Sequence, residues 1–212
     1  MKKRGHLLVT NHVASGQGIR KAGILLGCIL PDFWIPSLLK GHTSEAAWER
    51  IKGEMTELEE YGSGNFLDSV RLGVVLHYVE DFFTYPHNKT YNGDFWGHIR
   101  YERKQYENFT QHLGVEKGVI EQVGYHPKEY VNSIQILLEE MLDEYDEMLD
   151  DYGDRIEDYE EMDTYLEADY IYMKKAAYMT VWHFERAFII NRISRKQKYS
   201  FSGLKHFRQK SL

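Results

Sequence analysis

The sequence predicts an all-α fold, a compact bundle of several helices, and three observations indicate it. Apolar residues recur at intervals of three and four along most of the 212 residues, as one face of a helix requires. Almost no segment alternates apolar and polar residues for long enough to form a strand. Only four prolines interrupt the chain, and 42% of its residues are apolar, which suffices for a sizeable core.

The first two predicted helices are short. Residues 6–15 and 18–30 have helical lengths, and a Gly-Gln-Gly sequence separates them. Pro31 and Pro36 then mark an irregular segment, because the residue before a proline avoids helical geometry.

The next two predicted helices differ in character. Residues 43–61 read as an amphipathic helix, with Ser44 as its expected N-cap and Gly62-Ser63-Gly64 as its end. Residues 66–83 are apolar around almost the whole circumference, and Pro86 follows them. A helix that is apolar on all sides belongs in the centre of a bundle.

Three further helices are predicted in the second half, over 96–113, 131–152 and 155–191. No internal repeat or low-complexity linker is evident. We therefore expect one helical domain at 1–193, followed by a basic tail at 194–212.

Charge is unevenly distributed along the chain. Residues 139–169 hold sixteen acidic residues and one basic residue, whereas residues 171–212 hold ten basic residues and one acidic residue. The simpler interpretation of the acidic run is a solvated helix face; calcium binding is the alternative, but the EF-hand spacing is missing. The net charge of −7 argues against a general nucleic-acid coat. The single Cys28 excludes an internal disulfide and a Cys-rich zinc site.

The amino terminus resembles the start of a secretory signal only in its basic residues. Polar residues interrupt the apolar stretch that follows, and no small-residue cleavage site is present. The later apolar run at 22–30 is far shorter than the roughly 20 residues that a membrane span needs. We therefore expect an unprocessed, cytoplasmic protein.

Histidines and carboxylates form an unusual series along the chain. His77 and Asp81 lie four residues apart on the apolar helix, and His98 and Glu102 repeat that spacing on the next helix, with His87 between the pairs. Residues four apart share one face of a helix. Imidazole and carboxylate ligands suit zinc. Five ligands exceed one tetrahedral site, so the series indicates two or more metals; buried ion pairs with a core histidine are the alternative.

Three segments carry a resemblance to a known family: His77-Tyr78-Val79-Glu80-Asp81, Pro86-His87 and His98-Ile99-Arg100-Tyr101-Glu102. Together they resemble the zinc-dependent phospholipase C family, which is related to the S1/P1 nucleases. Upstream, His6-Leu7-Leu8-Val9-Thr10-Asn11, Leu30-Pro31-Asp32 and Gly41-His42 extend the resemblance to about residues 5–105. The resemblance implies a helical bundle with a polynuclear zinc site in a cleft between central helices.

The resemblance also implies a ligand set. The first zinc would be held by Asp32, His42, His77 and Asp81, and the second by His87, His98 and Glu102. Asp81 would bridge to a third metal whose ligands include His6. Relatives complete that third site with an N-terminal Trp, which this chain lacks, so two zinc ions are expected and the third site is left open. Asp32 would also be the catalytic residue that orients or deprotonates water.

The function implied is hydrolysis of phosphodiesters, with glycerophospholipids cleaved through a metal-bridging hydroxide. An S1/P1-type nuclease acting on single-stranded nucleic acid, or a non-catalytic metal-binding relative, are the alternatives. Five aromatic residues near the motifs could line the cleft, although core packing explains any single one as well: Phe33, Trp34, Tyr85, Phe95 and Trp96. The basic tail suggests peripheral membrane contact, or pairing with the acidic helix. The oligomeric state is left open.

Overall fold

The computed structural model describes residues 3–14, 18–33, 44–91, 93–115, 134–153 and 162–209. These residues form seven α-helices and two short 3-10 turns, with no strand among them, which confirms the predicted all-α fold. The helices are α1 (Lys3–Val13), α2 (Ile19–Gly27), α3 (Ser44–Tyr61), α4 (Phe66–Phe82), α5 (Phe95–Val115), α6 (Ile134–Gly153) and α7 (Met162–Gln209). The 3-10 turns are Pro31–Phe33 and Tyr85–His87.

Helix α4 is the central element of the bundle, as its apolar circumference predicts. It packs against α1, α2, α3 and α7, and its second half is buried on every side. A capping box fixes its start: Asn65 accepts from the backbone N–H of Asp68, and Asp68 accepts from the backbone N–H of Asn65. Ser63 also donates to Asp68 through its hydroxyl, at 2.9 Å. These bonds satisfy N–H groups that a helix end leaves without partners.

Helices α2 and α4 approach each other closely because glycines face each other where they meet. A Cβ on Gly27 would lie 2.0 Å from the carbonyl oxygen of Val70, and one on Gly73 would lie 2.1 Å from that of Ile24. No larger side chain fits without moving one helix. This contact brings the carboxyl end of α2, and Cys28 directly after it, against the middle of α4.

A fully buried carboxylate, Asp169 on α7, joins the later helices to the 3-10 turn after α4. Its oxygens accept from Tyr101 Oη at 2.8 Å, from Gln105 Nε2 at 2.7 Å and from Tyr145 Oη at 2.5 Å. They also accept from the backbone N–H of Tyr85, at 3.2 and 3.3 Å. Four donors from three other elements therefore converge on one side chain.

Helix α6 carries the acidic run, and its described part has the expected two faces. Leu138, Met141, Tyr145 and Leu149 are buried, whereas the acidic residues at 140, 143, 144, 147, 150 and 151 are exposed. The predicted solvated acidic face is confirmed for these residues.

Helix α7 is described from Met162, and it ends later than the predicted 155–191 helix. It has 48 residues, about 72 Å at 1.5 Å per residue, and it crosses position 194 without a break. The division into a domain at 1–193 and a tail at 194–212 is not marked by a change of backbone structure there. Among the described residues, no helix combines the length and the apolar character that crossing a bilayer requires.

Candidate metal centre

Five elements bring seven of the eight predicted site residues together, six of them in two neighbouring clusters and Asp81 between the clusters. His6 on α1, Asp32 on the first 3-10 turn and His77 on α4 each offer a ligand atom within 4.8 Å of the others. His87, on the second 3-10 turn, forms an equivalent cluster with His98 and Glu102 on α5. The eighth residue, His42, lies outside the described residues.

Asp81 lies between the two clusters and contacts a histidine of each. Its Oδ1 is 3.3 Å from Nε2 of His6 and 3.5 Å from Nδ1 of His87, and its Oδ2 is 3.3 Å from Nε2 of His77. The side chain is buried, with 1% of its surface exposed. One carboxylate therefore faces three imidazole nitrogens from three different elements.

Hydrogen bonds on the far side of two imidazoles define which nitrogen faces the centre. Nδ1 of His6 lies 2.7 Å from Oε2 of Glu80, and the Thr10 hydroxyl donates to Oε1 of the same carboxylate at 2.7 Å. Nδ1 of His77 lies 2.8 Å from the carbonyl oxygen of Cys28 and donates to it. In both histidines Nε2 is thus directed at Asp81, the arrangement in which an imidazole binds a metal.

The donor set fits a metal ion. Nε2 of His6 is fully buried, and apart from its 3.3 Å contact with Asp81 it makes no hydrogen bond within the described part of the chain, so it is available to bind an ion. The His6 and His77 rings are stacked with centroids 4.0 Å apart, so both present nitrogen at one place. Zinc bonds of 2.0–2.2 Å in a tetrahedron separate ligands by about 3.3–3.6 Å, the range of the Asp81 contacts.

Charge at the centre is governed by burial and by the close carboxylates. Burial lowers the pKa of His6, but Asp81 and Glu80 outweigh that effect and raise it to about 9. Burial raises the pKa of Asp81, yet the surrounding histidines, His87 foremost, hold it well below its usual range. Burial lowers the pKa of His77 well below its usual value. The carboxylates of Asp81 and Glu80 therefore favour a positive charge at this place, which a divalent cation would supply.

The second cluster is more open than the first. Nε2 of His98 lies 3.1 Å from Oε1 of Glu102, and the rings of His87 and His98 have centroids 5.2 Å apart. Burial lowers the pKa of His87 to about 3, so it is a neutral imidazole able to bind a metal. The side chain of His98 is 32% exposed, whereas those of His6 and His77 are fully buried. Solvent therefore reaches the centre from the side of α5.

The resemblance assigns His6 to a third metal, with Asp81 as the bridge. In the structure a ligand atom of His6 lies within 4.8 Å of those of Asp32 and His77, and its Nε2 contacts Oδ1 of Asp81. Glu80 and Thr10 orient His6 and are absent from the predicted set. A carboxylate directly before Asp81 on a helix that is apolar on all sides was the available signal for Glu80, because a buried charge needs a partner.

Two further described histidines lie outside both clusters. His112 donates to the carbonyl oxygen of Asn108 at 2.9 Å, and His183 lies 3.3 Å from Glu59 on α3. Neither belongs to a metal-compatible cluster among the described residues.

Of the five aromatic residues near the motifs, three are well exposed. Phe33 is 62%, Phe95 70% and Trp96 66% exposed, the latter two in the turn of α5 that precedes His98. Tyr85 is packed instead, with its ring stacked on that of Tyr165 at 4.1 Å. Trp34 lies outside the described residues.

Comparison with known families supplies the remaining evidence. The family described as zinc dependent phospholipase C matches residues 5–180, well over half of the chain and every residue of both clusters. No curated protein and no solved structure matches the chain significantly. The zinc assigned to that family agrees with the nitrogen and oxygen ligands that the helices assemble. The chain belongs to the zinc-dependent phospholipase C family.

Proposed function

We propose that the protein hydrolyses the phosphodiester bond of glycerophospholipids at a zinc centre formed by both clusters. The observation that carries the proposal is the position of Asp81, whose Oδ1 contacts both His6 and His87, while its Oδ2 contacts His77. A carboxylate shared by two clusters suits a site with two metals close together, as in many phosphodiester hydrolases.

Each residue has a distinct task in this proposal. His6, Asp32 and His77 would hold one zinc, His87, His98 and Glu102 would hold another, and Asp81 would contribute to both. Zinc bound there supplies Lewis acidity, which lowers the pKa of water and neutralises phosphate oxygens.

We assign Asp32 the role of orienting and deprotonating the attacking water. It is the half-buried member of the first cluster, whereas His6 and His77 are fully buried. A partly exposed carboxylate beside two imidazoles can orient the attacking water and accept its proton. Glu80 and the Cys28 carbonyl hold the imidazoles still, so the groups around the phosphorus are arranged before substrate binds.

Exposed aromatic residues near the open side support a lipid substrate. Phe95 and Trp96 precede His98 by one turn of α5, and the Lys3 ammonium lies 3.6 Å from the centre of the exposed Phe33 ring. Aromatic rings and lysines are common where a protein meets a membrane surface. In this proposal Phe95 and Trp96 contact the lipid interface. The basic tail at 194–212 is attracted to anionic headgroups.

The test is a substrate panel on zinc-loaded protein, with vesicles of choline, ethanolamine and inositol lipids beside single-stranded DNA. We expect diacylglycerol release, and we expect His77→Ala to lose zinc and activity together. His112→Ala, at an exposed position outside both clusters, is the matched control and should keep both.

Other outcomes would overturn the proposal. Cleavage of single-stranded DNA without lipid hydrolysis would favour the nuclease reading. Two bound zinc ions with no turnover of any substrate would favour a non-catalytic relative. Less than one zinc ion per chain by elemental analysis would remove the basis of the proposal.

A further inference from the structure

The second cluster takes its ligands from two separate elements. His87 lies on the 3-10 turn Tyr85–His87, whereas His98 and Glu102 lie on α5. The distance between their ligand atoms therefore depends on how the turn is placed relative to α5. Zinc–ligand distances stay within about 0.2 Å of their usual values, so a zinc ion bound there requires that placement to be accurate.

Asp169 on α7 binds both of these elements at once. Its carboxylate accepts from the backbone N–H of Tyr85 on the turn, at 3.2 and 3.3 Å. It also accepts from Tyr101 Oη at 2.8 Å and from Gln105 Nε2 at 2.7 Å, both on α5. The side chain is fully buried, and it belongs to neither cluster. One carboxylate that is not a candidate ligand thus joins the two elements that supply the ligands.

The two donors on α5 lie next to the ligands that α5 supplies. Tyr101 directly precedes Glu102, and Gln105 follows Glu102 by three residues and His98 by seven. At about 100° per residue, Gln105 lies within roughly 60° of both ligands around the helix axis. A displacement of α5 at these donors therefore moves both of its ligands.

The turn and α5 also touch each other directly where Asp169 binds them. The rings of Tyr85 and Tyr101 have centroids 5.8 Å apart, and Gln105 Nε2 lies 3.4 Å from Thr84 Oγ1. Hydrogen bonds to a carboxylate are shorter and stronger than bonds between neutral groups, and burial strengthens them further. The bonds to Asp169 are therefore the stronger restraint on the placement of the turn.

We propose that Asp169 is a positioning residue for the second zinc: it sets the placement of the turn relative to α5, and with it the affinity of the second cluster. The inference rests on the proposed binding of zinc at both clusters. It concerns the second cluster alone. In the first cluster, Nδ1 of His6 is held by Glu80. Nδ1 of His77 is held by the Cys28 carbonyl.

Two tyrosines on different helices provide a matched test. Tyr101 and Tyr145 are both buried, and each donates its hydroxyl to Asp169, at 2.8 and 2.5 Å. Tyr101 lies on α5 beside a ligand, whereas Tyr145 lies on α6, which carries none of the described candidate ligands. Changing either tyrosine to phenylalanine removes the same group from the same carboxylate, but only Tyr101→Phe releases an element that carries ligands.

The experiment measures the zinc affinity of the full-length protein at pH 8, by competition with a chromophoric chelator. Burial raises the pKa of Asp169 to about 7, so the carboxylate is ionised at pH 8 and accepts from all four donors. We expect Tyr101→Phe to raise the Kd of one zinc ion roughly tenfold and to leave that of the other unchanged. Tyr145→Phe should leave both Kd values unchanged.

The variant His98→Ala shows which zinc ion is affected. With the second cluster disabled, the remaining zinc should bind equally well with and without Tyr101→Phe. Gln105→Leu removes the other α5 donor and should weaken the same zinc ion as Tyr101→Phe does. It provides a second variant if Tyr101→Phe does not fold, and thermal unfolding checks the fold of each.

Two outcomes would overturn the inference. Equal zinc affinities in Tyr101→Phe and Tyr145→Phe, whether unchanged or lowered together, would show that Asp169 supports the fold without positioning a ligand. A loss of affinity in Tyr101→Phe that persists in the His98→Ala background would place the effect at the first cluster. Both outcomes leave the proposed hydrolysis standing, whereas a wild type that binds less than one zinc ion would remove the basis of both proposals.

Discussion

Nδ1 of His6 lies 2.7 Å from a carboxylate oxygen of Glu80, although 74 positions separate the two residues in the sequence. Both side chains are fully buried, and the second oxygen of Glu80 is held by Thr10. The bond joins α1 to α4 and fixes the ring orientation that directs the other nitrogen of His6 at Asp81. A metal centre built in this way depends on residues that are not themselves ligands.

We therefore expect Glu80→Gln to lower zinc affinity by about 10–100-fold, the usual loss when the partner of a metal-bound histidine is changed. Competition with a chromophoric chelator measures the affinity. Glu60→Gln, at an exposed position on α3, is the control and should bind zinc as the wild type does. Unchanged affinity in Glu80→Gln would show that His6 binds no metal.

The two clusters can be separated by mutation. His98→Ala should remove zinc from the α5 side only, because His98 contacts Glu102 and belongs to one cluster. Asp81→Asn should reduce zinc at both clusters, because Asp81 faces histidines of each. Elemental analysis after dialysis gives the zinc content. Equal losses in the two variants would contradict a shared carboxylate.

The close packing of α2 against α4 predicts that a larger residue at their contact lowers both stability and zinc affinity. Gly73→Ala should destabilise the protein by about 1–3 kcal/mol, because the added Cβ would overlap the backbone of α2. It should also weaken zinc binding by moving the Cys28 carbonyl away from His77. Gly53→Ala is the matched control: nothing lies within 4 Å of its Cβ. That variant should gain about 0.5–1 kcal/mol from better helix propensity. Denaturant unfolding measures the free energy of unfolding of both variants.

Asp169 predicts how stability depends on pH. Burial raises the pKa of Asp169 to about 7, whereas the unfolded value is about 3.9. Between those values the folded chain holds a proton that the unfolded chain has lost. This stabilising contribution is complete below about pH 4 and is lost as pH rises through 7.

The matching measurement compares the wild type with Asp169→Asn, both in chelator. The free energy of unfolding of the wild type, relative to that of the variant, should fall between about pH 4 and 7 and level off above. A difference that stays constant over this range would contradict a raised pKa for Asp169.

The proposed lipid contact predicts a kinetic split. Trp96→Ala should raise KM for phospholipid vesicles several-fold while leaving kcat on a soluble short-chain phospholipid unchanged. Leu67→Ala, at an equally exposed apolar residue at the start of α4, is the control and should change neither value. If Trp96→Ala lowered activity on the soluble substrate alone, Trp96 would be placed in the cleft rather than at the membrane.

Much of the fold could be predicted from the sequence because helix formation follows local patterns. The apolar circumference of residues 66–83 indicated the central helix, and the structure places α4 there with its second half buried. The His77 and Asp81 spacing placed both side chains on one face of that helix, where they lie 3.3 Å apart. Such relations span one turn, and periodicity alone reveals them.

The supporting contacts could not be predicted in the same way, because they join distant parts of the chain. No spacing rule relates Cys28 to His77, or Asp169 to Tyr85, since each pair meets only when separate helices pack. The end of α7 was predicted too early: the helix was expected to stop near residue 191, but it continues to Gln209.

The four donors that bind Asp169 also bear on the order of events during synthesis. The last described candidate ligand in the chain is Glu102. The turn that carries His87, however, is held by Asp169, which is synthesised much later. A nascent chain halted before α7 would contain the ligands without the geometry. Zinc uptake should therefore be among the last steps of maturation, and the ion should bind a finished bundle rather than nucleate one.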